Sequence, residues 1–226
     1  MTLIFKDRIQ AGQMLGDKLR AAGYGSSDIL LCIPRGGVVV GYHAAEKLGA
    51  QLDVVIPRKI GAPFNSEFAI GAVMEDGSIY LNRADMQGLG ITDEYIKSET
   101  SRQIEEIKRR IRFYRKSRPR PDVPGKTVII VDDGIATGAT IKVASISLKK
   151  MNPARLCVAA PVGAPDSVGE ISKIVDDVVL LYLPDFFAAV GQFYQDFGQT
   201  SDEEVIELLE LSWKKKNNLR GVDDAY

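Results

Sequence analysis

Residues 126–141 read Lys-Thr-Val-Ile-Ile-Val-Asp-Asp-Gly-Ile-Ala-Thr-Gly-Ala-Thr-Ile, and they contain the clearest structural signal in the chain. The apolar, β-branched run Val128–Val131 is typical of a strand that is buried on both faces. Two carboxylates, Asp132 and Asp133, follow at once. Apolar side chains then return at helical spacing, at Ile141, Ala144 and Leu148. The pattern predicts a strand, a tight loop and the N-terminus of a helix.

This predicted loop combines features that suit different parts of one ligand. The start of a helix leaves backbone N–H groups unpaired and has partial positive charge, so it favours a phosphate. Small residues let an anion approach the backbone, and the hydroxyls of Thr137 and Thr140 can donate further hydrogen bonds. The two carboxylates suit vicinal hydroxyls and Mg²⁺. One ligand has a phosphate, a diol and a metal-bound diphosphate: 5-phosphoribosyl 1-pyrophosphate (PRPP).

The motif differs from a Walker A loop, because no Lys follows the second glycine. It resembles the signature of type I phosphoribosyltransferases, in which a hydrophobic strand leads to two acidic residues and Ala-Thr-Gly-x-Thr. The alternative is a chance acidic turn before a helix. The resemblance implies Mg²⁺ as cofactor, with Asp132 and Asp133 as the metal-binding residues. The PRPP-binding residues that it implies are Asp132, Asp133, Gly134, Ile135, Ala136, Thr137, Gly138, Ala139 and Thr140.

A second glycine turn follows the predicted strand Ile29–Ile33. It consists of Pro34, Arg35, Gly36 and Gly37. The paired glycines expose backbone N–H groups, and the Arg35 guanidinium can bind a phosphate through two hydrogen bonds. In the resembled family, a turn of this kind binds pyrophosphate. The alternative is an ordinary turn between a strand and a helix, with Arg35 at the surface.

Two cations, Arg58 and Lys59, follow the next predicted strand. The resemblance implies that they neutralise the leaving diphosphate, and we assign them as catalytic residues. The alternative is a solvated basic turn. Residues 60–67 are rich in Gly and Pro and predict a mobile loop that covers the site. Within this loop, Glu67 is a candidate for contact with the acceptor or its proton.

Alternation of strands and helices along the chain predicts an α/β fold with a doubly wound parallel sheet. Met74–Ser78 lies between two apolar runs and predicts an antiparallel hairpin beside the lid. We expect one domain over residues 1–213, a small C-terminal hood at about 184–200, and a disordered tail at 214–226.

The hood segment, residues 184–200, concentrates aromatic side chains, and in the resembled family a hood holds the acceptor base. Phe186 and Phe187 are therefore the acceptor-binding candidates, although packing over the sheet edge is an equal alternative. The 6-oxopurine branch of the family has an Asp just before Thr-Gly, whereas this chain has Ala136. The sequence thus predicts a nucleobase-like acceptor other than a 6-oxopurine.

The composition of the chain limits the kinds of binding partner and the cellular location that we expect. The formal net charge of −1 predicts no nucleic-acid partner, although Arg109–Arg120 is locally basic. Cys32 and Cys157 lie in apolar runs, which indicates unpaired core cysteines in a reducing compartment. The sequence shows neither a signal peptide nor an apolar run long enough to span a membrane, so we expect a cytoplasmic protein. Family members are often dimers, so we expect a homo-oligomer. The alternative to an enzyme is a regulator that binds PRPP or a nucleotide on the same fold.

Overall fold

The chain folds into two sheets surrounded by helices, and a computed structural model describes residues 4–116 and 118–223, except the side chains at 66–67, 84–85, 87 and 216–223. The strands are β1 (Ile29–Cys32), β2 (Gln51–Val54), β3 (Arg58–Ala62), β4 (Asn65–Val73), β5 (Ile79–Leu81), β6 (Thr127–Val131), β7 (Arg155–Val162) and β8 (Asp177–Tyr182). The helices are α1 (Arg8–Ala21), α2 (Gly36–Leu48), α3 (Arg83–Gly88), α4 (Asp93–Arg115), α5 (Ala139–Lys149), α6 (Pro165–Ile171) and α7 (Asp202–Asp223), with a 3-10 helix at Val190–Phe193. None of the helices within these described ranges has the length and apolar character needed to cross a bilayer.

The larger sheet has five parallel strands in the order β2-β1-β6-β7-β8. From β1 the chain moves outward to β2, whereas from β6 it moves the other way to β7 and β8. The direction of winding therefore reverses between β1 and β6. In sheets of this kind, ligands bind at the carboxyl ends of the strands at such a reversal. The predicted doubly wound sheet is confirmed, and both predicted ligand turns follow the two strands that flank the reversal.

Helices cover both faces of this sheet, which explains the continuous apolar runs of its strands. One face packs against α1, α2, α4 and α7 through side chains such as Leu15, Ile107 and Leu209. The other face packs against α5, α6 and the smaller sheet, with Ile141 and Ile171 in its core. The central strands β1 and β6 are buried on both faces, so the turns that follow them are positioned by the two cores.

The smaller sheet is antiparallel, in the order β3-β4-β5. The predicted hairpin at Met74–Ser78 is confirmed, and Met74 N donates to Ser78 O at 2.9 Å. The predicted loop over 60–67 is wrong, because β3 and β4 pair through most of it and leave only a short turn at 63–64. Pairing satisfies the backbone there, and the Tyr95 hydroxyl of α4 donates to Gly61 O at 2.8 Å.

Helix α7 is longer than the sequence pattern indicates. The prediction of a disordered tail from residue 214 is corrected as far as Asp223, where the helix ends. Contacts near residue 214 explain the extension. The partly buried Trp213 packs against the main core and lies 3.7 Å below the Arg118 guanidinium, while Lys215 forms an ion pair with Glu46 of α2.

The hood segment is attached to the N-terminal segment rather than to the small sheet. Phe5 N donates to Phe193 O at 2.8 Å, and Gln195 N donates to Phe5 O at 2.8 Å. Phe5, Phe193 and Tyr194 form a small separate core with Val162 at the end of β7. This packing brings the start of α1 to the carboxyl edge of the main sheet, beside the turn after β6.

Candidate functional site

The two predicted ligand turns meet in space. A Cβ atom at Gly36, in the turn after β1, would overlap with Oδ2 of Asp133, in the turn after β6. A Cβ atom at Gly37 would lie only 2.9 Å from Cα of Asp132. Glycine is therefore required at both positions by close approach of the two turns. The structure brings the acidic pair and the Arg-Gly-Gly turn into one crevice at the reversal point of the sheet.

The acidic pair is held in a defined orientation. Asp132 Oδ1 accepts a hydrogen bond from the backbone N of Asp133 at 2.9 Å. Asp133 Oδ2 accepts from Nε of Arg8 at 2.8 Å, and the side chains of Arg8 and Asp133 are only 12% and 16% exposed. Each carboxylate thus has one oxygen engaged by the protein, and the Asp133 side chain faces the Gly36 turn.

Burial and mutual repulsion perturb both carboxylates. Burial raises the pKa of Asp132 well above its usual value, and the negative charge of Asp133 raises it further. Burial also raises the pKa of Asp133, although the positive charge of Arg8 opposes that shift. Such a pair is costly to keep ionised without a partner. The site is therefore receptive to a cation or to hydroxyl donors, and perturbed acids in a crevice are typical of functional sites.

The turn after the acidic pair forms an open helix start. Ala136 and Thr137 are exposed, Thr140 is half-buried, and Gly138 caps α5 in the left-handed region at φ 68°. The Ser167 hydroxyl donates to Ala136 O at 2.6 Å and fixes the turn from the side of α6. Glycine adopts this left-handed conformation without strain, and Thr137 and Ala139, on either side of Gly138, line a cavity at the start of α5. This geometry suits a phosphate.

Two residues of this turn have supporting roles. Ile135 is 1% exposed, its N donates to Val162 O at 2.9 Å, and its O accepts from Ala164 N at 2.8 Å. Its side chain and its backbone N and O are thus used inside the fold, and its place among the PRPP-binding residues stays a prediction. Gly134 contacts the hood segment, since a Cβ atom there would lie 2.5 Å from Val190.

The turn after β1 places a second helix N-terminus in the crevice. Arg35 caps α2, is half-buried, and follows a cis peptide bond with Pro34. Burial and the neighbouring Asp202 raise the pKa of Tyr114 in α4, and the positive charge of Arg35 opposes that shift. The positive ends of α2 and α5 therefore converge on the space beside the acidic pair.

The two adjacent cations Arg58 and Lys59 point in different directions. Arg58 Nε donates to Oε1 of Gln103 in α4 at 2.8 Å, and burial followed by the charge of Arg110 lowers the pKa of Arg58. Lys59 is exposed and pairs with Ala72 across the ladder, so it shares the sheet face that packs toward α5. Of the two predicted catalytic cations, Lys59 is the exposed one, and neither of them lines the cavity beside the α5 turn.

The residues predicted to contact the acceptor, Glu67, Phe186 and Phe187, lie in different parts of the structure. Glu67 lies in β4, and its side chain is outside the described part of the structure. Phe186 is 78% exposed, whereas Phe187 packs on Phe193 with ring centroids 5.4 Å apart. Phe187 is thus a packing residue of the hood, and Phe186 projects into solvent. The structure does not bring these aromatic side chains onto the acidic pair.

Three residues that the sequence analysis missed surround the acidic pair. The Tyr194 hydroxyl donates to Asp133 O at 2.7 Å, and burial raises the pKa of Tyr194. The Arg8 guanidinium lies 3.9 Å from the ring centroid of Phe197. No local pattern signals these contacts, because Arg8 and Asp133 are 125 residues apart in the chain.

A polar cavity of about 290 Å³ extends from the α5 turn toward the small sheet. Thr137 and Ala139 line it on one side and Tyr80 on the other. The buried Lys142 also lines it, with Nζ 3.3 Å from the Tyr80 hydroxyl and in an ion pair with Glu170. The start of α5 therefore borders a polar cavity that the Lys142 ammonium also lines.

The donor set fits a magnesium ion that is shared with a ligand. Within the described ranges, no group of three or more His, Cys, Asp or Glu side chains could hold a metal by itself. Mg²⁺ usually takes one or two carboxylates together with waters and substrate phosphates. Asp132 and Asp133 supply that number, so they fit an ion brought in with a diphosphate rather than a protein-only metal site.

Comparison with known proteins agrees with this geometry. A family model described as phosphoribosyl transferase domain matches residues 8–197. The chain belongs to the phosphoribosyl transferase domain family. The matched region begins at Arg8 and ends at Phe197, so it includes most of the hood segment and both partners of the Arg8–Phe197 contact.

Individual relatives support the same assignment. A Mycobacterium tuberculosis protein with the curated name "Putative phosphoribosyl transferase" is 37% identical over 222 residues, which cover 98% of this chain and 50% of that protein. The chain thus spans about half the length of the curated relatives it matches. The crystal structure of TT1426 from Thermus thermophilus has 40% identity and a TM-score of 0.76, over 92% of this chain and 98% of that one.

A more distant structure shares the fold alone. It is a Neisseria gonorrhoeae protein with bound ppGpp, at 14% identity and a TM-score of 0.50, covering 93% of this chain and 98% of that chain. The fold is therefore shared with a protein of very low sequence identity.

Proposed function

We propose that this protein transfers the 5-phosphoribosyl group of PRPP to a nucleobase-like acceptor other than a 6-oxopurine and releases pyrophosphate. One observation carries the proposal: the acidic turn and the Arg-Gly-Gly turn touch at the reversal point of the sheet, where Gly36 approaches Asp133. A ligand placed there meets two carboxylates and two helix N-termini at once. A sugar with phosphoryl groups on both sides of a diol matches that arrangement.

The donor would bind through three parts of the crevice. The N–H groups at Ala136–Thr140 would hold the 5-phosphate, helped by the Thr137 hydroxyl. Asp133 would accept hydrogen bonds from the ribose hydroxyls. The backbone of Gly36 and Gly37 would hold the diphosphate at the N-terminus of α2. This division follows the charges of the crevice, since the anionic groups of the donor would lie at helix starts and its neutral diol at the carboxylates.

Cations would stabilise the charge that develops on the departing diphosphate. Arg35, which caps α2, and the exposed Lys59 on β3 are the direct candidates. Arg58 would contribute positive charge without direct contact to the diphosphate, since its Nε donates to Gln103. The transition state would resemble an oxocarbenium ion at the ribose, so positioning and charge stabilisation suffice without a covalent enzyme intermediate.

Magnesium would be held by Asp132 and Asp133 together with the diphosphate of the donor. When bound, Mg²⁺ supplies positive charge to the diphosphate oxygens. The contribution of the chain is to present the two carboxylates with one oxygen each already engaged, at Asp133 N and Arg8 Nε. Their raised pKa values would fall when a cation binds, because it favours the charged form.

The acceptor would bind between the donor and the hood segment. Phe186 is free to stack on a base, because its ring is 78% exposed. Phe187 would support it from the hood core. Ala136 lacks the carboxylate that the 6-oxopurine branch places before Thr-Gly, which disfavours hypoxanthine or guanine. We further propose that the protein works in the cytoplasm as a homo-oligomer, and that Glu67 contacts the acceptor from the small sheet.

The test is exchange of labelled pyrophosphate into PRPP with Mg²⁺, run with a panel of bases and parallel calorimetric titration of PRPP. We expect PRPP binding that requires Mg²⁺, and turnover with one class of acceptor. PRPP binding without turnover on any acceptor would instead support a regulator that senses the donor. Absence of Mg²⁺-dependent PRPP binding by the folded protein contradicts both readings. Light scattering on the same sample measures the oligomeric state.

A further inference from the structure

Arg8 lies at the meeting point of three segments. Its Nε donates to Asp133 Oδ2 at 2.8 Å, in the turn after β6. Its Nη1 donates to Gly198 O at 2.7 Å, in the hood segment. A Cβ atom added at Gly36, in the turn after β1, would lie 2.7 Å from Arg8 Nε. Arg8 therefore borders both donor turns and the hood.

The guanidinium is held in one orientation. Arg8 is the first residue of α1, and the Asp7 side chain caps that helix by accepting from Gln10 N at 2.8 Å. The Arg8 guanidinium lies 3.9 Å from the Phe197 ring centroid, and that ring is 5.0 Å from the ring of Tyr194. Two hydrogen bonds and a stacked ring fix a planar group far better than they would fix a lysine ammonium.

This placement has a consequence for Asp133. The ion pair with Arg8 engages Oδ2 and leaves the second oxygen of the carboxylate for a ligand hydroxyl. Without Arg8, Asp133 would lie beside the like charge of Asp132 with no cation to set its rotation. Tyr194 holds the backbone of the same residue through Asp133 O. The hood thus fixes the backbone of Asp133, and Arg8 fixes its carboxylate.

We propose that Arg8 is a positioning residue of the donor site: it orients the Asp133 carboxylate toward the donor ribose and joins that carboxylate to the hood. The inference rests on the proposed function, since it takes PRPP as the donor. A purely structural role for Arg8 is the competing explanation, in which it only attaches α1 to the body of the protein. The two explanations differ in what happens when Asp133 is changed.

The experiment measures the Kd of PRPP with Mg²⁺ by titration calorimetry on the full chain. We expect Arg8→Gln to weaken binding about tenfold, which corresponds to ~1.4 kcal/mol. Arg8→Lys should recover part of the loss, because it keeps the charge but loses the second hydrogen bond and the stacking. The matched control is Arg20→Gln, an exposed arginine at the other end of α1, which should bind like the wild type.

A double-mutant cycle separates positioning from structure. In an Asp133→Asn background, Arg8→Gln should change the Kd less than about twofold, because the carboxylate that Arg8 orients is absent. An equal loss in both backgrounds, or a wild-type Kd for Arg8→Gln, overturns the inference while the proposed function stands. A wild-type protein that binds no PRPP overturns both.

A second variant covers the case in which Arg8→Gln does not fold. Phe197→Leu removes the ring below the guanidinium but leaves both partners of the ion pair. We expect a PRPP affinity about threefold weaker, with the melting temperature recorded to show an intact fold. A wild-type Kd in this folded variant also overturns the inference, since stacking would then contribute nothing to the orientation of Asp133.

Discussion

Asp132 and Asp133 are adjacent carboxylates that are largely removed from water, and the protein retains them despite their repulsion. Burial and the neighbouring negative charge raise the pKa of Asp132, and only Arg8 provides a nearby cation for Asp133 among the described contacts. Such an arrangement lowers stability unless a ligand relieves it. Residues that reduce stability in the free protein are typical of functional sites.

Asp132→Asn should therefore stabilise the fold and weaken the donor site. The amide keeps an oxygen that can accept from Asp133 N but removes the like charge. We expect a rise of about 2 °C in melting temperature, from ~1 kcal/mol, and at least a tenfold loss of PRPP affinity with Mg²⁺. Calorimetric melting and titration measure the two effects. Asp122→Asn, an exposed control, should change neither quantity, whereas unchanged PRPP affinity in Asp132→Asn would show that the pair is misassigned.

At the scale of elements, β3 separates two cations that are neighbours in the chain. Successive residues of a strand face opposite sides, so Arg58 meets Gln103 of α4 while Lys59 faces the side of Ala72. Gln103 in turn donates to Glu99 at 2.7 Å, which continues the network along α4. Arg58 is therefore part of the brace between the small sheet and α4.

The adjacent substitutions Arg58→Gln and Lys59→Gln form a matched pair. Lys59→Gln should weaken PRPP binding about three- to tenfold with little change in melting temperature, because it removes an exposed charge that we assign to the diphosphate. Arg58→Gln should lower the melting temperature by a few degrees, since a hydrogen bond of ~1 kcal/mol between β3 and α4 is lost. Calorimetry on both variants measures these effects, and the reverse pattern would place Arg58 rather than Lys59 at the ligand.

At the scale of the whole molecule, α7 closes the core on the face of the sheet that α1, α2 and α4 also cover. Val205 and Leu209 are fully buried in that core, and Trp213 packs at its edge. The donor turns depend on this packing indirectly, because the same core buries β1 and β6 just before the turns begin. Loss of α7 packing should therefore affect the stability of the entire fold.

Leu209→Ala should destabilise the protein by about 2–5 kcal/mol, because it leaves a cavity in a closed core. Leu211→Ala is the control in the same helix, since Leu211 is 40% exposed and its truncation should cost much less. Denaturant unfolding measures both values. Equal and small losses for the two variants would mean that α7 is not part of the cooperative core.

Local pattern was sufficient for much of the fold. The apolar run at β6, followed by a glycine turn and helical periodicity, predicted the strand, the loop and α5. Both signals are short-range, because strand burial and helix spacing repeat within one element. The predicted loop over residues 60–67 was wrong, because Gly and Pro there indicate a loop locally, whereas pairing between β3 and β4 satisfies the backbone.

The sequence by itself determined the α/β class and the two glycine turns, because these depend on residues that are close together in the chain. Tertiary structure alone decided that Arg8 orients toward Asp133, that Tyr194 holds the same residue, and that Arg58 faces α4. Those contacts join segments 45 to 125 residues apart. The packing of the sheet between its two cores sets them, and no periodicity in one element encodes them.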